Sequence, residues 1–467
     1  MKTLSLLISF LMLFVQVWAQ VAPLSSDSIY SFTLDQAVNY ALQHNTQIIN
    51  GQLDVKKARW QIWQTTAMGL PQVNGSAQYT QYPSLPTQLM PNFLTPVIVQ
   101  VNRELFGLQP QGPLPDPNEK IPVHFGSEYN AQWGISVNQL IFSGEYLVGL
   151  YAARIFKELA EQNLQKTTRD LKYSIEQSYV LVLIADKSLK ILKETYENSK
   201  ILRDKTAHLV NQGMGESIQL DQMNYMLYQL ENQIKTVERQ NLLVYRLLKF
   251  QLGLDMEDSL VLTTSLEQVM SDIKLGDFLD TNYSVNRNID YRLLLTQERL
   301  AYLNVRKEQA KLLPQISAFY TYSKNTYSDE FNLLSPEQDW FKTEMFGFNV
   351  QVPIWGSGAK ISSIMQKKLD YLKLNNTREM MREQLKIQYS QAYNNFINAY
   401  ERMLNEQKNI DLTKKVYENT RIKYLNGAAS ILELTQAQNQ YLQAQGNYYS
   451  ALIDMIKAKT ELEKFIQ

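Results

Sequence analysis

Cysteine is missing from the 467 residues. Its absence excludes disulfides, thiolate metal sites and lipid attachment through an N-terminal cysteine. Histidine is scarce, with only His44, His124 and His208, far apart in the chain. No His-Glu-x-x-His, paired-cysteine or EF-hand spacing occurs, so the sequence predicts no metal and no cofactor. An excess of either charge is lacking too, since Lys+Arg and Asp+Glu are both 46. That balance gives no reason to expect a nucleic-acid partner. Gly356-Ser-Gly-Ala-Lys360 lacks the spacing of a phosphate loop and reads as a strand-to-helix turn with Ser357 as cap. Gly213-Met-Gly215-Glu-Ser217 is half of a dinucleotide fingerprint with no strand before it, and reads as a helix break. No nucleophile–base pair can be argued from spacing, so an enzyme is not expected.

Long hydrophobic runs are confined to the start. Lys2 precedes an apolar run from Leu4 to Val17, followed by Val17-Trp18-Ala19-Gln20. This is the pattern of a cleaved secretion signal, with the cut expected after Ala19. No later segment has eighteen consecutive apolar residues. A helix across a membrane is therefore not expected in the mature chain. The chain is then either soluble outside the cytoplasm or meets a membrane through β-strands.

What the chain does have is long helical patterning interrupted at two similar places. In Tyr424–Gln438, Gly427 breaks the helix and Ser430 stands where an N-cap would restart it. The same device occurs at Val210–Gln222, and Gly213, Leu220 and Gln222 match Gly427, Leu434 and Gln436 at one offset of 214. Other blocks repeat as well. Asn45, Ala58, Ala67, Leu70, Pro71 and Gln72 match Asn288, Ala301, Ala310, Leu313, Pro314 and Gln315 at an offset of 243. Gly134 and Val137 match Gly347 and Val350 at 213, so the first copy carries a 30-residue insertion. The insertion falls in Pro83–Pro122, which holds nine of the fourteen prolines. Collinear blocks with coherent offsets indicate an internal duplication.

The expected layout is a signal peptide over 1–19, a first structural repeat over 20–252, a connecting segment over 253–286 and a second repeat over 287–467. Each repeat reads helix, strand, strand, long helix, tip, helix. The first helices run over about 45–69 and 287–313 and stop at Pro71 and Pro314, the helix-to-strand breaks. Strands are expected over about 72–82, 128–142, 315–323 and 343–354, and the tips over about 210–217 and 424–430. In the connecting segment, Leu260–Thr263 is a possible short strand.

The strands alternate. Tyr129, Ala131, Trp133, Ile135 and Val137 share one face; Asn130, Gln132, Gly134 and Ser136 share the other. A soluble sheet with one face on a core fits this pattern. A membrane barrel fits it better, because strands of about 9–11 residues span a bilayer and no separate core stands nearby to cover them. Four strands cannot close a barrel with a lumen, and open edges are not tolerated in lipid. Membrane strands would therefore require several chains to share one barrel.

Long helices follow each strand pair. The one from Gly144 to about Asn211 would reach ~100 Å at 1.5 Å per residue. Leu171, Ile175, Ser178, Val182, Ala185, Leu189, Leu192 and Tyr196 form a coiled-coil seam along it. In the last helix, Ala437, Tyr441, Ala444, Tyr448, Ala451, Met455, Ala458 and Leu462 alternate small and large. Its remaining faces carry Gln436, Gln438, Asn439, Gln440, Gln443, Gln445 and Asn447. Such a face suits the wall of a water-filled passage and equally an ordinary solvent face.

The secretion signal, the duplicated helix–strand–strand–helix unit, the two Leu-Pro-Gln strand starts and Tyr424-Leu-Asn-Gly427-Ala-Ala-Ser430-Ile-Leu-Glu-Leu together resemble the TolC-like outer membrane efflux protein family. The resemblance runs from Phe32-Thr-Leu-Asp-Gln-Ala-Val to the last helix. It implies a mixed α/β membrane protein, mostly α, with a long coiled-coil helical tunnel. Four transmembrane strands per chain would complete a 12-stranded barrel in a homotrimer. The protein would lie in the bacterial outer membrane, touch its lipid and extend far into the periplasm. Its partners would be a periplasmic adaptor protein and an inner-membrane pump.

By the same resemblance, Gln212, Gly213, Gly215, Ser217, Asn426, Gly427 and Ser430 form the adaptor-docking tips. Tyr424, Gln219, Glu433 and Gln436 fall at the periplasmic constriction. The family has two acids there, of which Glu433 matches the first, while Gln436 stands in the place of the second. Tyr424 matches a latch tyrosine, but Ala429 and Gln219 replace the arginine and aspartate that it pairs with. Read on pattern alone, Glu433 is a solvated helix-surface acid. The insertion would be a large external loop at the barrel mouth. The rival reading is a secreted coiled-coil structural or adhesion protein without channel activity.

Overall fold

The computed structural model describes residues 29–92, 94–107, 120–271, 273, 276, 283–332 and 335–466. The expected secretion signal and its cleavage site after Ala19 lie outside the described residues, as does the stretch 108–119 of the insertion. In chain order the elements are β1 (Ile29–Phe32), α1 (Leu34–His44), α2 (Thr46–Ala67), β2 (Gln72–Gln81), β3 (Thr87–Pro91), α3 (Leu94–Phe106), β4 (Lys120–His124) and β5 (Tyr129–Ser143). They continue with α4 (Gly144–Asn211), α5 (Ser217–Leu252), β6 (Ser259–Leu262), α6 (Leu266–Ser271), α7 (Ile289–Ala310), β7 (Gln315–Ser328), β8 (Phe341–Gln351), α8 (Ala359–Leu425) and α9 (Ile431–Ile466). No described helix is long and apolar enough to cross a membrane.

The chain divides into two compact units that cut across the bounds expected for the two repeats. One comprises 1–53, 162–293 and 379–467; the other comprises 54–161 and 294–378.

The first unit is a helix assembly with a small parallel strand pair. Thr33 starts α1 through a reciprocal capping box with Gln36. Asn45 ends α1 and restarts the chain as α2, its Oδ1 accepting from the Gln47 amide at 2.8 Å. Asn288 accepts from Asp290 at 2.9 Å in the same way at the head of α7. β1 pairs in parallel with β6 from Ile29↔Ser259 to Phe32↔Leu262. The possible strand at 260–263 is thus real, and its partner β1 was not expected. Beneath the pair lies a core of Ala37, Ala41, Ile175, Tyr179, Val182, Leu248 and Leu252, all fully buried. A second core joins Val180, Phe396, Leu452, Met455 and Leu462. Both predicted seams are buried: Leu171, Ile175 and Val182 of α4 lie in the first core with Ser178 buried between them, and on α9 Ala451, Met455 and Leu462 lie in the second core, with Ala437, Tyr441 and Ala444 buried nearer its start.

Part of the polar face expected on α9 is not solvent-facing. Gln438 and Gln445 are buried, and Ser199 of α4 donates to Gln438 Oε1 at 3.4 Å. They neighbour the seam residues Ala437 and Ala444 in the chain, which are buried as well.

The second unit holds a four-stranded antiparallel sheet in the order β2-β5-β7-β8. Val73 pairs with Val137, Val137 with Tyr320, and Tyr320 with Phe346. Cross-strand partners share a face. One face therefore carries Val73, Val137, Ile135, Trp133, Phe346, Phe348 and Val350 in register, and all but Val137 are exposed. β7 runs five residues beyond the expected 323, because β5 still pairs with it as far as Tyr129↔Ser328. β8 covers 341–351 and not 343–354. Pro353 has no amide to donate, so the ladder stops before it. Ser357 does not cap α8; it takes φ 48° one place too early, and Gly358 precedes the first helical residue. Between β2 and β5, the insertion is partly regular: β3 and β4 pair antiparallel from Thr87↔His124 to Pro91↔Lys120.

Candidate functional site

The two helix breaks fold as near copies. At the end of α4, the Met214 amide donates to Leu209 O at 2.8 Å and the Gly213 amide to Val210 O at 3.0 Å. At the end of α8, Ala428 donates to Lys423 O at 2.8 Å and Gly427 to Tyr424 O at 3.0 Å. Each is a Schellman turn, which needs a left-handed residue. Gly213 supplies φ 77° and Gly427 supplies φ 75°. Nothing lies within 4 Å of where a Cβ would sit on either glycine. Backbone conformation alone, not crowding, thus demands glycine there.

The restarts differ. Ser430 Oγ accepts from the Glu433 amide at 3.2 Å, while Glu433 Oε2 accepts from the Ser430 amide at 2.7 Å and from the Ser430 hydroxyl at 3.0 Å. This capping box holds the first turn of α9. At the other tip Glu216 occupies the N-cap position and makes no side-chain cap bond. The predicted residue Ser217 is the first helical residue there, not the cap.

Both tips belong to one packed assembly. Just behind them, Leu202 of α4, Met223 and Met226 of α5, Tyr417 of α8 and Ile431, Leu434, Ala437 and Tyr441 of α9 form a single apolar cluster. Tyr417 and Tyr441 stack at 5.7 Å with an interplanar angle of 5°. Leu434 is fully buried, and truncating such a side chain to alanine costs about 2–5 kcal/mol. The cluster fixes the four helix ends side by side. It leaves Met214, Ile218, Leu425 and Leu432 exposed around the turns.

Tyr424 bonds within its own chain. Its hydroxyl lies 2.9 Å from Thr206 Oγ1. The Thr206 hydrogen is already donated to Leu202 O at 3.0 Å, so Tyr424 is the donor. The bond ties α8 to α4 within one chain. Gln219 and Tyr424 share no hydrogen bond among the described residues. Gln436 is exposed one turn beyond Glu433. Sequence reasoning missed Thr206, because nothing in its local pattern separates it from any helix-facing threonine.

Glu433 is exposed, and its Oε1 takes no hydrogen bond from the described residues. The Ser430 amide and hydroxyl hold its carboxyl below the usual range, with a smaller contribution from Lys423. It stays a carboxylate at neutral pH. Among the described residues, no cluster of His, Asp or Glu could hold a metal ion.

The model of the family described as outer membrane efflux protein matches residues 37–253 and 289–466. The unmatched gap is almost the connecting segment. No curated protein sequence matches the chain. Solved structures that share the fold include the following three. The Campylobacter jejuni CmeC outer membrane channel is 16% identical, with TM-score 0.69 over 96% of this chain and 91% of that one. CusC, solved for conformational changes accompanying folding and transmembrane channel formation, is 17% identical, with TM-score 0.67 over 95% of each chain. The open state of the Neisseria gonorrhoeae MtrE outer membrane channel is 14% identical, with TM-score 0.67 over 97% and 95%.

Proposed function

The chain belongs to the outer membrane efflux protein family and is an exit duct of the outer membrane, and we propose that three copies together form the duct of a tripartite export system. The observation that carries this reading is the sheet. It has four strands, an exposed apolar face, and edges at β2 and β8 that no described strand covers. Unpaired edges are not tolerated in lipid, and four strands are too few to enclose a lumen. Three copies pairing β8 of one with β2 of the next remove every edge and give twelve strands. The apolar face then meets the lipid of the outer membrane, and the helices lie in the periplasm. A signal peptide cut after Ala19 delivers the chain there.

The tips are the proposed periplasmic end. Gln212, Gly213, Gly215, Ser217, Asn426, Gly427 and Ser430 dock the helical hairpins of a periplasmic adaptor, which links the duct to an inner-membrane pump. The pump supplies the energy. Three Glu433 carboxylates form a ring at the constriction, beside Gln436, Tyr424 and Gln219, and favour cations there. Glu433 holds its helix turn with Oε2 and turns its charge to the passage with the unbonded Oε1.

Purified protein reconstituted in planar bilayers tests this. Discrete cation-selective steps are expected, with selectivity reduced in Glu433→Gln. Recovery of the native protein in the soluble fraction, without conductance, would establish the secreted coiled-coil alternative instead.

A further inference from the structure

The apolar face of the sheet does not stay apolar to its end. On β8 it reads Val350, Phe348, Phe346, and then Glu344 and Lys342. β7 alongside reads Tyr320, Tyr322 and Lys324 on the same face. The register puts Lys324 directly opposite Lys342, and Trp133 directly opposite Lys324 on its other side. Two like charges facing each other across a strand pair destabilise a sheet. Lys342 is relieved by Glu344 at 2.9 Å and by the Tyr322 ring at 5.7 Å. Lys324 has no ion pair among the described residues. The row therefore keeps one uncompensated positive charge beside an aromatic, lipid-facing belt.

We infer that Lys324 and Lys342 form a site for a phosphate on the headgroup of an outer-leaflet lipid. The inference rests on the outer-membrane reading above. β7 begins and β8 ends beside the helices α7 and α8, whereas the lysine row lies toward the opposite ends of both strands. With the helices in the periplasm, that end reaches the outer leaflet. There the acyl chains lie against Phe346, Phe348 and Tyr320, and a phosphate arrives at the level of the two ammonium groups. Basic residues at the headgroup level attract anionic lipids in this way. Trp133 and Tyr322 suit the same interface. A bound phosphate offsets the repulsion that the register builds in. A soluble anion would gain nothing from the apolar surroundings, so the lipid is the occupant.

Native mass spectrometry of the full chain extracted from outer membranes tests the site, with phosphorylated lipid A, the same lipid without phosphates, and inorganic phosphate as probes. The wild type is expected to retain phosphorylated lipid A about thirtyfold better than the double variant Lys324→Gln/Lys342→Gln, as two lysines at a headgroup would give. Lys324→Arg/Lys342→Arg should behave as the wild type. Dephosphorylated lipid should not distinguish any of them. Equal retention by wild type and double variant overturns the site, and displacement of the lipid by inorganic phosphate overturns its lipid character. If the double variant still reaches the outer membrane and conducts, the duct reading survives either failure.

Discussion

The turn after α4 and the turn after α8 use the same stop and different starts. Both end a helix with a left-handed glycine and the same pair of backbone bonds. Only the second restarts with a reciprocal side-chain cap, from Ser430 and Glu433. The first has Glu216 at its cap position with no such bond, and a second glycine, Gly215, inside the turn. The second tip is thus specified at both ends and the first at one. In a docking surface built from both, the α8–α9 tip supplies fixed geometry and the α4–α5 tip the adaptable half.

The largest effect is expected from forcing each glycine in turn out of its left-handed conformation. Valine there costs roughly 1–2 kcal/mol of backbone strain before any contact is lost. Gly427→Val should abolish export while leaving the protein assembled in the outer membrane. Gly213→Val should weaken export less, because Gly215 can absorb part of the change. Measuring export alongside membrane recovery separates docking from folding. Equal loss in the two variants would mean that the tips are not divided as described.

A smaller effect is expected at the caps. Ser430→Ala should lower local stability at the start of α9 by about 1 kcal/mol, the usual value of an N-cap. Ser217→Ala, which removes no cap bond, should stay within about 0.5 kcal/mol. Hydrogen exchange of the first-turn amides reads both.

The smallest difference is pH dependence. The Glu433 carboxyl is held below the usual range by the Ser430 amide and hydroxyl. Its capping contribution is therefore fully present above the ordinary carboxylate pKa, and is lost as pH falls through the depressed folded value. Amide protection at 431–433 should step down on acidification. Glu433→Gln keeps a side chain that can cap and should remove the step. The first tip should show no matching step.

Much of this architecture was legible beforehand, for identifiable reasons. Gly144 and Asn211 bound α4 as expected, since a glycine follows strand β5 and Gly213 stops the helix. Ser430 announces its cap through a serine three residues before an acid. Long-range pairing was not legible. β1 is only four residues and is defined by β6, some 230 positions away. Gln438 and Gln445 look solvent-facing in a polar run, yet both are buried, Gln438 against Ser199 of a helix far off in sequence. Tyr424 carried a role implied by resemblance, and its bond to Thr206 depends on how α4 and α8 pack. The lysine pair became visible only with the register of β7 and β8.

In the proposed trimer, three chains share one barrel through the edges of β2 and β8. The chain has no cysteine of its own, so one introduced on β2 and one on β8 are the only thiols present. Cross-linking in intact outer membranes, scanned over residues 72–81 against 341–351, measures the junction directly. A covalent ladder that ends at three chains is expected in at least one register. Monomer alone in every register, or a ladder that runs on past three, would contradict it.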